Sequence, residues 1–286
     1  METVRVAALQ MRSGMDPARN AADFEALVRE AAGKGAVYVQ SPEMTGALVR
    51  DRAALKVLLK PEADDIIARK AAALAGELGI FVHVGSTAIA RPDGKVANRG
   101  FVFGPDGAKL ATYDKIHMFD VDLDNGESWR ESATYEPGTA STVVDVPFGR
   151  LGMAVCYDLR FPQLFRAQAL EGAHILTVPA AFTRQTGEAH WHVLQRARAI
   201  ENGAFVIAAA QGGLHEDGRE TYGHSLIVDP WGRVLAEADH DEPAVVIADL
   251  DMAASAAARA KVPNLKNARE FRVEASGGAA QQRRAS

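Results

Sequence analysis

A single cysteine, Cys156, stands in a chain of 286 residues. One thiol cannot close an internal disulfide, which predicts a reducing, cytoplasmic setting. Positive charge is not in excess: 32 Lys and Arg against 37 Asp and Glu leave a net charge of −5. That balance gives no reason to expect nucleic acid or an anionic membrane as partner. Apolar runs are short, and none reaches the roughly 18 residues of a membrane span. The opening "METVRVAALQMRSG" has no basic region followed by an apolar one, so no secretory signal is expected. Also missing are G-x-x-x-x-G-K-[ST], a strand-linked G-x-G-x-x-G and G-x-S-x-G, so nucleotide and serine-hydrolase readings lack their motifs. His190 and His192 stand two apart, which on a helix puts them on different faces. With one cysteine and scattered histidines, a metal site is not expected.

What is present is an alternation of short β-rich runs with alanine-rich helical patterns. Residues 4–11, 36–43, 80–89, 149–156, 174–181 and 205–211 read as strands. Several are apolar on both faces, as in a sheet covered by helices. Residues 16–35 read as a helix capped by Asp16 with Pro17 in its first turn, and 61–78, 162–171 and 188–201 as further helices. Three Pro-x-Gly turns, at 90–95, 103–110 and 229–235, are flanked by strand-like residues and predict hairpins. Crossovers together with hairpins predict an α/β protein with a mixed sheet, or two stacked sheets with helices outside. No low-complexity linker splits the chain. The expectation is one domain over residues 1–272 and a flexible C-terminal tail over 273–286.

Three candidate groups sit at strand ends. Pro42 stops a ladder so that Glu43 emerges at a strand's carboxyl end. Lys115 ends "LATYDK" on the same face as Tyr113, and Cys156 ends "GRLGMAVC" just before a proline-started helix. The crevice beyond such ends is where α/β proteins bind ligands. Each residue has an ordinary reading: a small core thiol, a solvated acid, a surface lysine. Together they form a chemistry. A carboxylate can take the thiol's proton, a thiolate attacks carbonyl carbon, and the resulting oxyanion needs donors such as Lys115 and the backbone N–H of Tyr157. That is C–N bond hydrolysis through a thioester. Composition leaves a papain-like Cys–His pair open, but the sequence around Cys156 is unlike those families.

The motifs "SPEMTG", "YDKIHMFD", "RES" followed by "PG", and "AVCYDLRFPQL" resemble the four motif regions of the nitrilase (carbon–nitrogen hydrolase) superfamily. The likeness continues through "TGEAHWHVLQRARAIEN", "FVIAAAQGG" and "YGHSLIVDPWGRVLAE", and fades after about residue 272. It implies Glu43 as general base, Lys115 as the oxyanion-stabilising or acid residue and Cys156 as nucleophile. The family's second glutamate matches Glu131, which precedes Pro137 and Gly138; Glu127 is then a surface acid. The resemblance further implies an α-β-β-α sandwich, a homodimer or higher homo-oligomer aided by the C-terminal segment, and no metal or cofactor. Tyr157-Asp158 follows the cysteine where nitrile hydrolases have Trp-Glu, and "CYDLRFP" with "AHW" and "YGHSLIVDPWG" is most similar to amidases of deaminated glutathione and omega-amidases of α-ketoglutaramate. The implied substrate is a small carboxylated amide. N-carbamoyl amino acid hydrolysis, nitrile hydrolysis and a catalytically silent binding subunit are the competing readings. By position, Arg184 is a candidate for the substrate's carboxylate and Phe182 for the pocket wall. His190 and Trp191 are expected to fix a loop to the sheet, and Asp158 and Arg160 to form a buried ion pair.

Overall fold

The computed structural model describes residues 3–123, 126 and 128–274, so Glu127 and the tail from 275 onward lie outside the described residues. In chain order the strands are β1 (Thr3–Gln10), β2 (Tyr38–Gln40), β3 (Phe81–Ala90), β4 (Val96–Phe103), β5 (Lys109–Asp114), β6 (Asp120–Asp122), β7 (Ser128–Arg130) and β8 (Thr142–Val146). They continue as β9 (Gly149–Met153), β10 (Ile175–Thr177), β11 (Phe205–Ala208), β12 (Gly212–Leu214), β13 (Glu220–Tyr222), β14 (Leu226–Val228), β15 (Val234–Glu237) and β16 (Ala244–Asp251). The helices are α1 (Pro17–Gly33), α2 (Arg52–Leu58), α3 (Ile66–Leu78), α4 (Pro162–Leu170), α5 (Arg184–Asn202) and α6 (Ala253–Lys261).

Two six-stranded sheets carry the fold, in the orders β16-β1-β2-β3-β4-β5 and β15-β14-β11-β10-β9-β8. Each has parallel strands at its centre and antiparallel pairs at its sides. The three Pro-x-Gly turns form the β3–β4, β4–β5 and β14–β15 connections as expected. Alternation along β1 explains the layering. Val6 and Ala8 face the second sheet, in one core with Leu151, Ile175 and Val206. Ala7 and Leu9 face the opposite way, packing with Phe24 and Val28 of α1 and Ile67 and Leu74 of α3. On the other side, Phe165 of α4 and Trp191 and Ala199 of α5 cover the second sheet. The layers run α-β-β-α. Among the described residues no helix is long and apolar enough to cross a membrane.

Local chemistry sets the helix ends. The Asp16 side chain accepts from Ala18 N at 2.9 Å with Pro17 at the first position, and Asp65 accepts from Ala68 N at 2.8 Å. The helix expected over 61–78 therefore begins at Ile66, after a separate short turn over Glu62–Asp64. Helix α5 begins at Arg184, four residues before the expected 188. Gly187 hid that start, because glycine is a poor helix former. It is needed there: a Cβ on Gly187 would come within 2.3 Å of the Tyr222 side chain. Segment 184–191 is thus helix, not loop. Strands β1 and β3 keep their expected length, whereas β2, β9, β10 and β11 are shorter than expected because their carboxyl ends leave the ladders.

Candidate active site

The carboxyl ends of β2, β5, β9 and β10 converge on one cavity of about 330 Å³, lined by Glu43, Lys115, Glu131, Cys156, Tyr157 and Phe182 among others. Close approach of the two sheets depends on Gly85 in β3. A Cβ there would lie 2.2 Å from Ser41 O and 2.4 Å from Pro179 Cβ. Pro179 O in turn accepts the backbone N–H of Cys156 at 2.8 Å.

Cys156 sits at the turn between β9 and α4 with φ of 52°. Left-handed backbone at a residue with a side chain is uncommon and costs on the order of 1–3 kcal/mol. Met44, the residue after Glu43, has φ of 54°. Strained backbone therefore occurs on both sides of the cavity floor. The corner is held by Asp158, which is fully buried. Its Oδ2 accepts from Val155 N at 2.8 Å and Tyr113 Oη at 2.7 Å, and its Oδ1 from His117 N at 3.1 Å. Tyr113 and His117 flank Lys115 in sequence, so Asp158 locks the lysine-bearing segment to the cysteine-bearing turn. The expected Asp158–Arg160 ion pair does not form. Arg160 instead faces the cavity, with Cζ 5.4 Å from the Phe182 ring centroid and 5.9 Å from that of Tyr157.

Lys115 Nζ lies 2.9 Å from Glu43 Oε1 and 2.8 and 3.0 Å from the two Glu131 oxygens. Asn98 Nδ2 donates to both acids, at 3.0 Å to Glu43 and 3.1 Å to Glu131. Glu43 Oε2 accepts from Ala181 N at 3.0 Å, and Glu131 Oε2 from Phe119 N at 2.7 Å. Every carboxylate oxygen is paired. Burial alone would raise the Glu43 pKa, but the Lys115 charge and hydrogen bonds from the Cys156 thiol, Lys115 and Asn98 hold it below the ordinary glutamate value. Burial alone would discharge Lys115, yet the charges of Glu131 and Glu43 push its pKa well up. Burial and the adjacent Glu43 charge keep the Cys156 thiol protonated in the resting site. The arrangement is a neutral thiol hydrogen-bonded to a charged carboxylate that also grips a charged lysine.

Glu43, Lys115, Glu131, Cys156, Tyr157 and Phe182 thus come together. Arg184 does not. It is half exposed, away from the cavity, and bound to Glu188 at 3.2 Å, Glu220 at 2.9 Å and Asp241 at 3.2 Å. Sequence reasoning did not single out the arginines that do line it. Arg50, Arg52, Arg130, Arg160 and Arg219 all line the cavity. Arg130 is neutralised by Asp122 at 2.8 Å, whereas Arg160 has no carboxylate partner among the described residues. Asn98 was also missed, since "VANRGFVF" carries no motif signal. His190 is exposed beside Arg160, and Trp191 anchors α5 by donating to His224 O at 2.8 Å.

The family model described as carbon-nitrogen hydrolase matches residues 5–260. A deaminated glutathione amidase of Yersinia enterocolitica is 42% identical over 240 residues, covering 83% of this chain and 83% of that protein. The omega-amidase NIT2 of Homo sapiens is 34% identical over 269 residues, covering 94% of this chain and 96% of that protein. Among solved structures, the C. elegans NitFhit protein matches with a TM-score of 0.86 at 33% identity, over 93% of this chain and 65% of that one. With a thiol, two carboxylates and an ammonium at the floor of its cavity and relatives of this similarity, the chain belongs to the carbon–nitrogen hydrolase family, as a hydrolase of small-molecule amides.

Proposed function

We propose that Cys156 is the nucleophile, Glu43 the general base and acid, Lys115 an oxyanion donor and Glu131 the residue that orients Lys115. The observation that carries this reading is the position of the Glu43 carboxylate, which lines the same cavity as the only thiol and is bonded to Lys115 at 2.9 Å. As sulfur attacks the amide carbon, Glu43 takes the thiol proton and the carbonyl electrons move to oxygen. Lys115 and the backbone N–H of Tyr157 meet that charge. Of the first N–H groups in the turn, that of Cys156 goes to Pro179 O and that of Asp158 to Val155 O, which leaves that of Tyr157. Glu43 then protonates the nitrogen, the C–N bond breaks, and a thioester remains. Water attacks the thioester while Glu43 accepts its proton and returns it to sulfur, releasing the acid.

The substrate is a small amide carrying carboxylate, of the deaminated-glutathione type. Arg160 at the cavity wall, whose guanidinium meets His190 but no carboxylate among the described residues, and the similarity to deaminated glutathione amidases support this choice. The protein works in the cytoplasm as a homodimer or larger homo-oligomer. Exposed Val193 and Ile200 of α5, with Ile200 against Gly232 beside the exposed Trp231, supply an apolar face for a second copy.

The test is release of amine or ammonia from deaminated glutathione, α-ketoglutaramate, N-carbamoyl-β-alanine, an aliphatic amide and a nitrile. Turnover is expected on 2-oxo-acid amides and is lost by on the order of 10⁴-fold or more in Cys156→Ala. Arg160→Ala should raise KM for the carboxylated members alone. Turnover at the wild-type level in Cys156→Ala would sink the nucleophile assignment, and preference for uncharged amides would sink the substrate class.

A further inference from the structure

We propose that His192, His224 and Glu237 form a binding site for a divalent transition-metal ion of the Zn²⁺ class, separate from the active-site cavity. Their ligand atoms all lie within 4.8 Å of one another, and among the described residues no other group of three His, Cys, Asp or Glu side chains is placed this way. None of the three lines the catalytic cavity.

The side chains come from three different elements: His192 from α5, Glu237 from β15, and His224 from the bend between β13 and β14. His192 Nε2 lies 2.6 Å and His224 Nδ1 3.1 Å from the same Glu237 oxygen, Oε1. The scaffold under His224 is stiff. Its backbone has φ of 55°, its carbonyl accepts from the buried Trp191 indole, and its ring stacks on Tyr222 with centroids 4.2 Å apart.

Two imidazoles and one carboxylate are a donor set that suits zinc, leaving a fourth position for water. Bonds of about 2.0–2.2 Å put tetrahedral donors roughly 3.4 Å apart. The two spacings to Glu237 Oε1, 2.6 and 3.1 Å, fall short of that value by less than 1 Å and the whole set stays within 4.8 Å, so modest side-chain rotations suffice. Without an ion, both imidazoles turn an N–H toward Glu237. With an ion, each neutral ring moves its proton to the other ring nitrogen and offers a lone pair instead. All three side chains are half exposed, with 22 to 32% of their surface open, so an ion has a path in.

Calorimetric titration of Zn²⁺ into the EDTA-treated full chain tests the site, with Co²⁺ absorption as a second readout. The expected result is one ion per chain, binding kept in Cys156→Ala, and affinity weakened about 100-fold or more in both His192→Asn and Glu237→Gln, beyond the usual effect of outer-sphere changes. Bound Co²⁺ should show d–d bands without a thiolate charge-transfer band. Absence of a stoichiometric site overturns the proposal. So does binding that is lost in Cys156→Ala, or binding that survives both His192→Asn and Glu237→Gln.

Discussion

Two three-residue clusters invite comparison. Glu43, Lys115 and Glu131 line the cavity and are largely buried; His192, His224 and Glu237 lie outside it and are partly exposed. Each contains a carboxylate that meets two nitrogen groups, or a nitrogen group that meets two carboxylates. In the buried cluster every carboxylate oxygen has a donor from lysine, asparagine or backbone. In the exposed cluster both imidazoles share Oε1, and Oε2 of Glu237 has no protein donor among the described residues. Burial makes an unpaired charge very costly, so a buried cluster must be complete and is committed to one geometry. Water tolerates an incomplete cluster, which keeps coordinating capacity in hand. One cluster is therefore suited to holding protons at set positions, and the other to taking up an ion.

The contrast breaks most severely at Lys115. Lys115→Met leaves Glu43 and Glu131 facing each other in a dry site, and should cost about 3–5 kcal/mol of stability. A denaturation midpoint within error of wild type would show that water already reaches the cluster.

The pH dependence sharpens the same point with a smaller effect. The Glu43 pKa is lowered, so the proposed base stays charged well into acid, below the ordinary glutamate value of about 4.3. Cys156 and Lys115 are both raised, so neither limits activity in mildly alkaline solution. A flat kcat/KM from about pH 5 to 9 is expected, falling about tenfold per unit only below the depressed Glu43 pKa. Stability follows the same signs. The Glu43 contribution is present above its unfolded pKa and is lost as pH falls through the folded value. The Lys115 contribution is present below its unfolded pKa and is lost as pH rises through the folded value. An acid limb of kcat/KM centred near neutrality would contradict the charged-base site.

Glu43, Lys115 and Cys156 were legible in sequence because each ends a strand, whereas Glu131 was found only through the family resemblance. Pro42 before Glu43, the strand pattern before Lys115 and the apolar run before Cys156 each carry a local signal, and the motif order joined them. The sandwich followed from crossovers and Pro-x-Gly hairpins together. Asn98 was not legible, because nothing local distinguishes a strand asparagine aimed at two acids from one facing solvent. Arg184 was misplaced because a loop was assumed where Gly187 lets α5 begin early, turning that arginine toward Glu188, Glu220 and Asp241. Asp158 was paired with Arg160 by proximity in sequence, whereas its partners Tyr113 and His117 arrive from another sheet. The histidine cluster was invisible for the same reason. His190–His192 was tested as a pair and fails, while the partners of His192 lie 32 and 45 residues further along the chain.

The smallest expected effect lies at that exposed cluster. Half-exposed hydrogen bonds between imidazole and carboxylate compete with water, so His192→Ala in metal-free protein should change stability by no more than about 0.5 kcal/mol. Against the buried lysine this is a difference of roughly tenfold for a similar number of contacts. An ion should reverse the ranking. At a free Zn²⁺ concentration 100 times Kd, binding to the folded state alone adds about 2.7 kcal/mol, and His192→Ala would forfeit most of it. Thermal unfolding of wild type and His192→Ala, each with EDTA and with Zn²⁺, separates the cases. A gap that opens only with the ion is the signature of a site poised for metal. A gap of equal size in EDTA would mean that the three side chains act as a structural brace, complete without any ion.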